Sequence, residues 1–111
     1  MWIVNQIKLR KKLLKVSRTA LNDYRTKVKG NYHTPKLEAR KKITRNVKYA
    51  IIKDTWYEKD GRLIYHFGNL TIVVESGVVT LIHNEKGKKG NFKKDKKLYN
   101  ELNKELQIKE S

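Results

Sequence analysis

Between Thr55 and His83 the chain places four short apolar runs almost end to end: "TWY", "RLIYHF", "LTIVVE" and "VVTLIH". The separators are turn formers, Asp60-Gly61 after "EK", then Gly68-Asn69, then Ser76-Gly77. Links of this kind close hairpins, because Gly, Asn and Asp accept the positive φ angles that tight turns require. Parallel neighbours would need a crossover of a dozen or more residues. The spacing therefore predicts a four-stranded antiparallel meander on which everything upstream has to pack.

Upstream, the apolar period is helical. Leu9, Leu13, Val16, Ala20 and Tyr24 form one stripe, and Ile7, Leu14, Leu21 and Val28 form its neighbour. Together they predict a long amphipathic helix within residues 1–29, with Lys8, Arg10, Lys11, Lys12, Lys15 and Arg18 on its other face. Gly30 and Asn31 interrupt it. Thr34 and Pro35 then read as the N-cap and first residue of a second helix, where a hydroxyl satisfies free amides and a missing N–H costs little. Ala39, Ile43, Val47, Ala50 and Ile51 line one face of that helix, with Leu37 as a candidate extension. After the strands comes the Lys-rich loop "NEKGKKGNFKKDKK", then "KLYNELNKELQI", where Leu98, Leu102 and Leu106 predict a short last helix. The expected fold is α+β: two N-terminal helices packed on a four-stranded antiparallel meander, with a short C-terminal helix. One domain accounts for the 111 residues. Its parts are a basic amphipathic helix at 1–29, a helix-plus-sheet core at 30–84, and a Lys-rich loop and helix at 85–111.

Charge narrows the function. Twenty-seven Lys and Arg against 11 Asp and Glu give a net +16. Such a chain repels itself, and a polyanion relieves the repulsion while releasing condensed counterions, so nucleic acid, RNA first, is the expected partner. A basic soluble domain with solvated lysines is the bland alternative. There is no Cys, which excludes disulfides, Cys-based zinc sites and thiol nucleophiles. The three His are scattered without ligand spacing, so neither metal nor cofactor is expected. No apolar run approaches the ~20 residues of a membrane span. At the N-terminus the apolar residues precede the basic ones, the reverse of a signal peptide. The expected site of action is cytoplasmic; delivery from another cell as part of a larger toxin stays open, as does the oligomeric state.

The order helix, helix, four antiparallel strands on a small basic chain resembles the RelE and barnase-like superfamily of toxin ribonucleases, which includes the colicin D nuclease domain. Within it, "YHTPKLEARKKITRNVKYAI" resembles the helix of a family of small toxin-like domains, through His33, Arg40, Ile43, Thr44, Val47, Ala50 and Ile51. The last strand, "VESGVVTLIHN", matches in its valine run and Thr80. The resemblance covers roughly Tyr32 to Asn84. It implies a metal-independent endoribonuclease that cleaves tRNA or mRNA through a 2′,3′-cyclic phosphate. It also implies an acidic immunity protein or antitoxin that covers the cationic cleft. Such cleavage needs a base for the 2′-OH, cations for the developing charge and an acid for the leaving oxygen.

On this reading His33 is the general base, its protonated form disfavoured by the adjacent helix N-terminus. Arg40 supplies a planar two-donor fork to phosphate, with Lys36 and Arg45 as alternatives. The resemblance makes Thr80 a phosphate ligand. His83 is the preferred general acid and His66 its rival. Strand alternation places Tyr65 and Phe67 opposite Ile64 and His66, and Thr80 opposite His83 unless a bulge intervenes. Trp56, Tyr57 and Tyr65 are candidates for stacking on unpaired bases, with core packing the competing role for Trp56. Lys88 and Lys89 would hold the phosphate backbone. The alternative function is a non-catalytic nucleic-acid or ribosome-binding protein, phage-encoded or regulatory, using the same surfaces.

Overall fold

The computed structural model describes residues 13–85 and 92–108. In chain order the elements are β1 (Lys15–Val16), α1 (Arg18–Lys27), α2 (Lys36–Lys53), β2 (Trp56–Lys59), β3 (Arg62–Phe67), β4 (Leu70–Glu75), β5 (Val78–Asn84) and α3 (Lys96–Glu105). The α+β class holds, and β2 to β5 form the expected antiparallel meander. At Asp60-Gly61 and Ser76-Gly77 both central residues have positive φ (53° and 79°, 51° and 78°), the twist that lets two-residue turns join right-twisted strands.

The sheet itself departs from expectation. It has five strands in the order β1-β5-β4-β3-β2 and is mixed, because β1 runs parallel to β5 with Lys15 opposite Val78. The long helix expected over 1–29 is, among the described residues, only α1. Leu14 and Val16 each fit one of the two helical stripes, yet the Leu14 amide is taken by Thr44 Oγ1 at 3.0 Å and the Ser17 amide by Val79 O at 2.9 Å. Ser17 then caps α1, accepting from the Ala20 amide at 3.1 Å. Ile7, Leu9 and the basic residues from Lys8 to Lys12 lie outside the described residues.

Helix α2 starts one residue later than expected. Pro35 is its cap and has no side-chain bond, while Thr34 Oγ1 turns back to Asn31 Oδ1 at 2.9 Å instead of capping. Ala39, Ile43, Val47 and Ala50 are buried against Tyr65, Ile72, Val74, Val79 and Ile82 in one core; Leu37 is exposed and does not extend that face. Full burial of each Ile or Val side chain contributes about 1.5–3 kcal/mol, which anchors the helical layer to one face of the sheet. Helix α3 runs back along α2. Asp95 caps it through the Leu98 amide, Leu102 is buried, and ion pairs Lys48–Glu105 and Lys53–Asp95 fasten it.

One irregularity decides which residues reach the other face. Val73 pairs with Leu81 and Val74 with Val79, so Thr80 is an extra, unpaired residue in β5. Val79 and Ile82, three positions apart, both enter the core. Thr80 and Leu81 both leave it, as bulged residues do. At the outer edge of β5, the Ile82 amide donates to Asp23 Oδ2 of α1 at 3.2 Å, and Asn84 Nδ2 donates to Lys27 O at 2.7 Å.

Candidate nucleic-acid interface

The sheet face opposite the core carries Tyr57 from β2, Ile64 and His66 from β3, Thr71 and Val73 from β4, and Thr80, Leu81 and His83 from β5. Tyr57, Leu81 and His83 are exposed there. The register aligns His66 with Thr71 and Thr71 with His83, making one cross-strand row of two imidazoles flanking a hydroxyl. His66 Nδ1 lies 3.3 Å from Thr71 Oγ1, and the Tyr57 ring stacks on His66 at 5.7 Å between centroids. Two strand spacings set the His66 and His83 backbones about 9–10 Å apart. The neighbouring row, Ile64, Val73 and Leu81, is apolar. Because of the bulge, Thr80 stands on the same side as His83, which simple alternation forbids; its hydroxyl donates to Glu75 Oε2 at 2.7 Å.

The residues of the opening half of the chain are placed elsewhere. His33 is exposed, edge-on to Tyr32 at 4.8 Å, in a crevice shared with Gly30 and Thr34. Arg40 lines a different crevice with Lys15, Val16 and Lys36, and its Nε donates to Leu14 O at 3.1 Å. His33 precedes the helix in a turn held back by Arg25 Nε on Thr34 O, 2.9 Å, whereas Arg40 is aimed at the start of β1. The fold therefore does not join His33 and Arg40 in one site, nor either of them to the face bearing Thr80 and His83. Tyr65 is wholly buried and stacked against Trp56, so it cannot receive a base; Trp56 packs on the core, and Tyr57 is the ring left exposed. Lys88 and Lys89 lie outside the described residues.

Arg45 belongs to a third place. It is buried to 3% exposure in α2, its guanidinium 4.3 Å from the centre of the Tyr99 ring, with Nε donating to Asn46 Oδ1 and Nη1 to Asn103 Oδ1, both at 3.1 Å. It lines a crevice of about 410 Å³ between the end of α1, α2 and the β3–β4 turn. Lys29, Asn31, Lys42 and Asn46 line the same space, and none of these four was legible as a site residue. The available signal was Arg45-Asn46, a polar pair lying between Ile43 and Val47 of the apolar stripe.

Among the described residues no three His, Asp or Glu side chains gather as a metal site, and no helix is long and apolar enough to cross a membrane. Three helices and a five-stranded mixed sheet among the described residues define the class as a small α+β protein. A family model, YorE, matches residues 14–105, which takes in every element from β1 to α3; the chain belongs to the YorE family. No curated protein and no solved structure matches it.

Proposed function

We propose that the chain is a toxin-like, metal-independent endoribonuclease whose RNA lies on the uncovered sheet face. The row His66, Thr71, His83 carries the reading. His66 is assigned the tautomer protonated at Nδ1, in which that N–H donates to Thr71 Oγ1, 3.3 Å away, and Nε2 is the acceptor that a general base needs. That nitrogen takes the 2′-OH proton, and the 2′ oxygen attacks the adjacent phosphorus. His83, exposed at the strand end, is the general acid and gives a proton to the leaving 5′ oxygen. The products are a 2′,3′-cyclic phosphate and a 5′-hydroxyl. The Thr71 hydroxyl proton is then directed at a phosphate oxygen, and the gap between the two imidazoles holds the phosphorus with its entering and leaving oxygens. Tyr57 fixes the His66 ring and offers its free surface to an unpaired base. The net +16 draws RNA to the molecule. A toxin of this charge would be restrained by an acidic immunity protein or antitoxin.

The test is incubation with total RNA in EDTA, followed by analysis of fragment ends. Cyclic-phosphate ends are expected. His66→Ala and His83→Ala should each lower single-turnover cleavage by about two to four orders of magnitude, the range for losing an acid or base. His33→Ala should leave it unchanged. Intact RNA at large enzyme excess refutes the reading. The separation of His33 from Arg40 favours a second one, a non-catalytic RNA or ribosome binder, which predicts strongly salt-dependent binding and no cleavage by the wild type.

A further inference from the structure

We infer that the crevice between α1, α2 and the β3–β4 turn is a binding site for a phosphomonoester of about the size of a nucleoside 5′-monophosphate. This crevice is separate from the sheet face, and its occupancy does not depend on whether RNA is cleaved there. The volume of about 410 Å³ is that of a small-ligand pocket. Its lining divides by chemistry. Lys29, Lys42 and Arg45 bring three cations, and Asn31 and Asn46 add carboxamides. Val28, Leu70 and Phe67 give an apolar wall for a sugar or base. No carboxylate lines the crevice among the described residues.

Three cations without a carboxylate match a group of charge near −1.5 to −2, which a phosphomonoester has at neutral pH and a single backbone diester lacks. The cations are also held ready. Arg45 is fixed by Tyr99, Asn46 and Asn103, so little side-chain freedom is lost on binding. Lys42 gives one of its ammonium protons to Asn31 Oδ1 at 3.1 Å and keeps the others for a ligand. Asn31 itself is held by Thr34 Oγ1, so the turn from Val28 to Thr34 is built around this position.

The same chemistry is offered by a free nucleotide and by the 5′-phosphate end of an RNA, and one experiment separates them. The full-length protein is titrated with AMP, with adenosine, and with a short RNA bearing either a 5′-phosphate or a 5′-hydroxyl, at physiological salt. Saturable one-site binding of AMP and none of adenosine is expected. Lys29→Gln and Lys42→Gln should each weaken AMP by about tenfold or more, the loss of a charged hydrogen-bond partner. Lys29 is exposed, so its variant tests the site without disturbing the core. Lys15→Gln and Lys36→Gln remove the same charge from the other basic crevice and should change AMP affinity less than twofold. An RNA preference for the 5′-phosphate that disappears in Lys42→Gln assigns the site to RNA ends, and equal binding of the two RNAs assigns it to free nucleotide. The proposal is overturned if AMP shows no saturable binding, or if all four variants weaken it equally, which would mark diffuse attraction to a basic surface.

Discussion

Deleting Thr80 should be tolerated, although it removes a residue from the middle of a core strand. In β5 the inward residues are Val79 and Ile82, and the pairing partners of Val74 and Val73 are Val79 and Leu81. Without Thr80 the strand reads Val79 in, Leu81 out, Ile82 in, His83 out, the ordinary alternation of a strand in the register it already has. The deletion removes two hydrogen bonds, that of the Thr80 hydroxyl to Glu75 at 2.7 Å, which is exposed, and that of the Ser17 hydroxyl to Thr80 O at 3.4 Å, which is long. At about 0.5–1 kcal/mol each, they sum to about 1–2 kcal/mol. If the shortened strand slipped instead, Ile82 would leave a site where it is wholly buried. That costs about 2–5 kcal/mol, like an Ile82→Ala cavity. For a chain of this length about 1 kcal/mol moves Tm by about 4 °C, so the two outcomes are about 4–8 °C and 8–20 °C. Thermal unfolding followed by circular dichroism, with Ile82→Ala as internal standard, separates them. A loss for the deletion as large as that of Ile82→Ala would refute the bulge as the reason for the 79/82 spacing.

Gly68→Ala should destabilise by about 1–2 kcal/mol in denaturant titration, the cost of placing a Cβ in a left-handed conformation. The glycine has φ +58° and the new Cβ would stand 3.1 Å from the Phe92 ring, so Gly68→Ala combined with Phe92→Ala should recover part of the loss. The Lys53–Asp95 pair gives a pH signature. Its hydrogen bond raises the Lys53 pKa above 10.5 and, with the Leu98 amide, lowers that of Asp95 below 3.8. The Asp95 contribution is complete above its unfolded pKa and is lost as pH falls through the depressed folded value. That of Lys53 is complete below its unfolded pKa and is lost as pH rises through the raised one. Lys53→Met should therefore lower Tm by a constant amount through neutral pH and converge on wild type as acid protonates Asp95; a difference that does not shrink with falling pH would contradict the assignment.

The meander was readable because hairpin turns are local: Asp60-Gly61 and Ser76-Gly77 specify left-handed backbone whatever surrounds them. The apolar face of α2 was readable for the same reason, as a repeat within one segment. Strand β1 was not, because it is defined by partners far along the chain, Val78 and Val79, and Leu14 and Val16 satisfy a helical stripe as well as an edge strand. Ser17 marked the true start of α1, since a serine three residues before Ala20 is a cap, but the longer apolar period outweighed it. The sites divide in the same way. His66 and Tyr65 on opposite faces follow from alternation, whereas Thr80 beside His83 needed a bulge that no residue in "VVTLIH" announces. The crevice assembles Lys29, Asn31, Lys42, Arg45 and Phe67 from separate stretches of the chain, and only packing brings them together.

Beyond Val79, strand β5 has no strand on its outer side among the described residues, since β1 pairs only with Val78 and Val79. Such an edge is a template on which another chain can add a strand. In this molecule the Asp23 carboxylate occupies the Ile82 amide and so acts as a stopper against intermolecular zipping. In free solution the net +16 already keeps copies apart. Any polyanion would cancel that repulsion, and helix α1, with the Asp23 carboxylate on the Ile82 amide and its Lys27 carbonyl on Asn84, would then be what shields the β5 edge from a neighbouring copy.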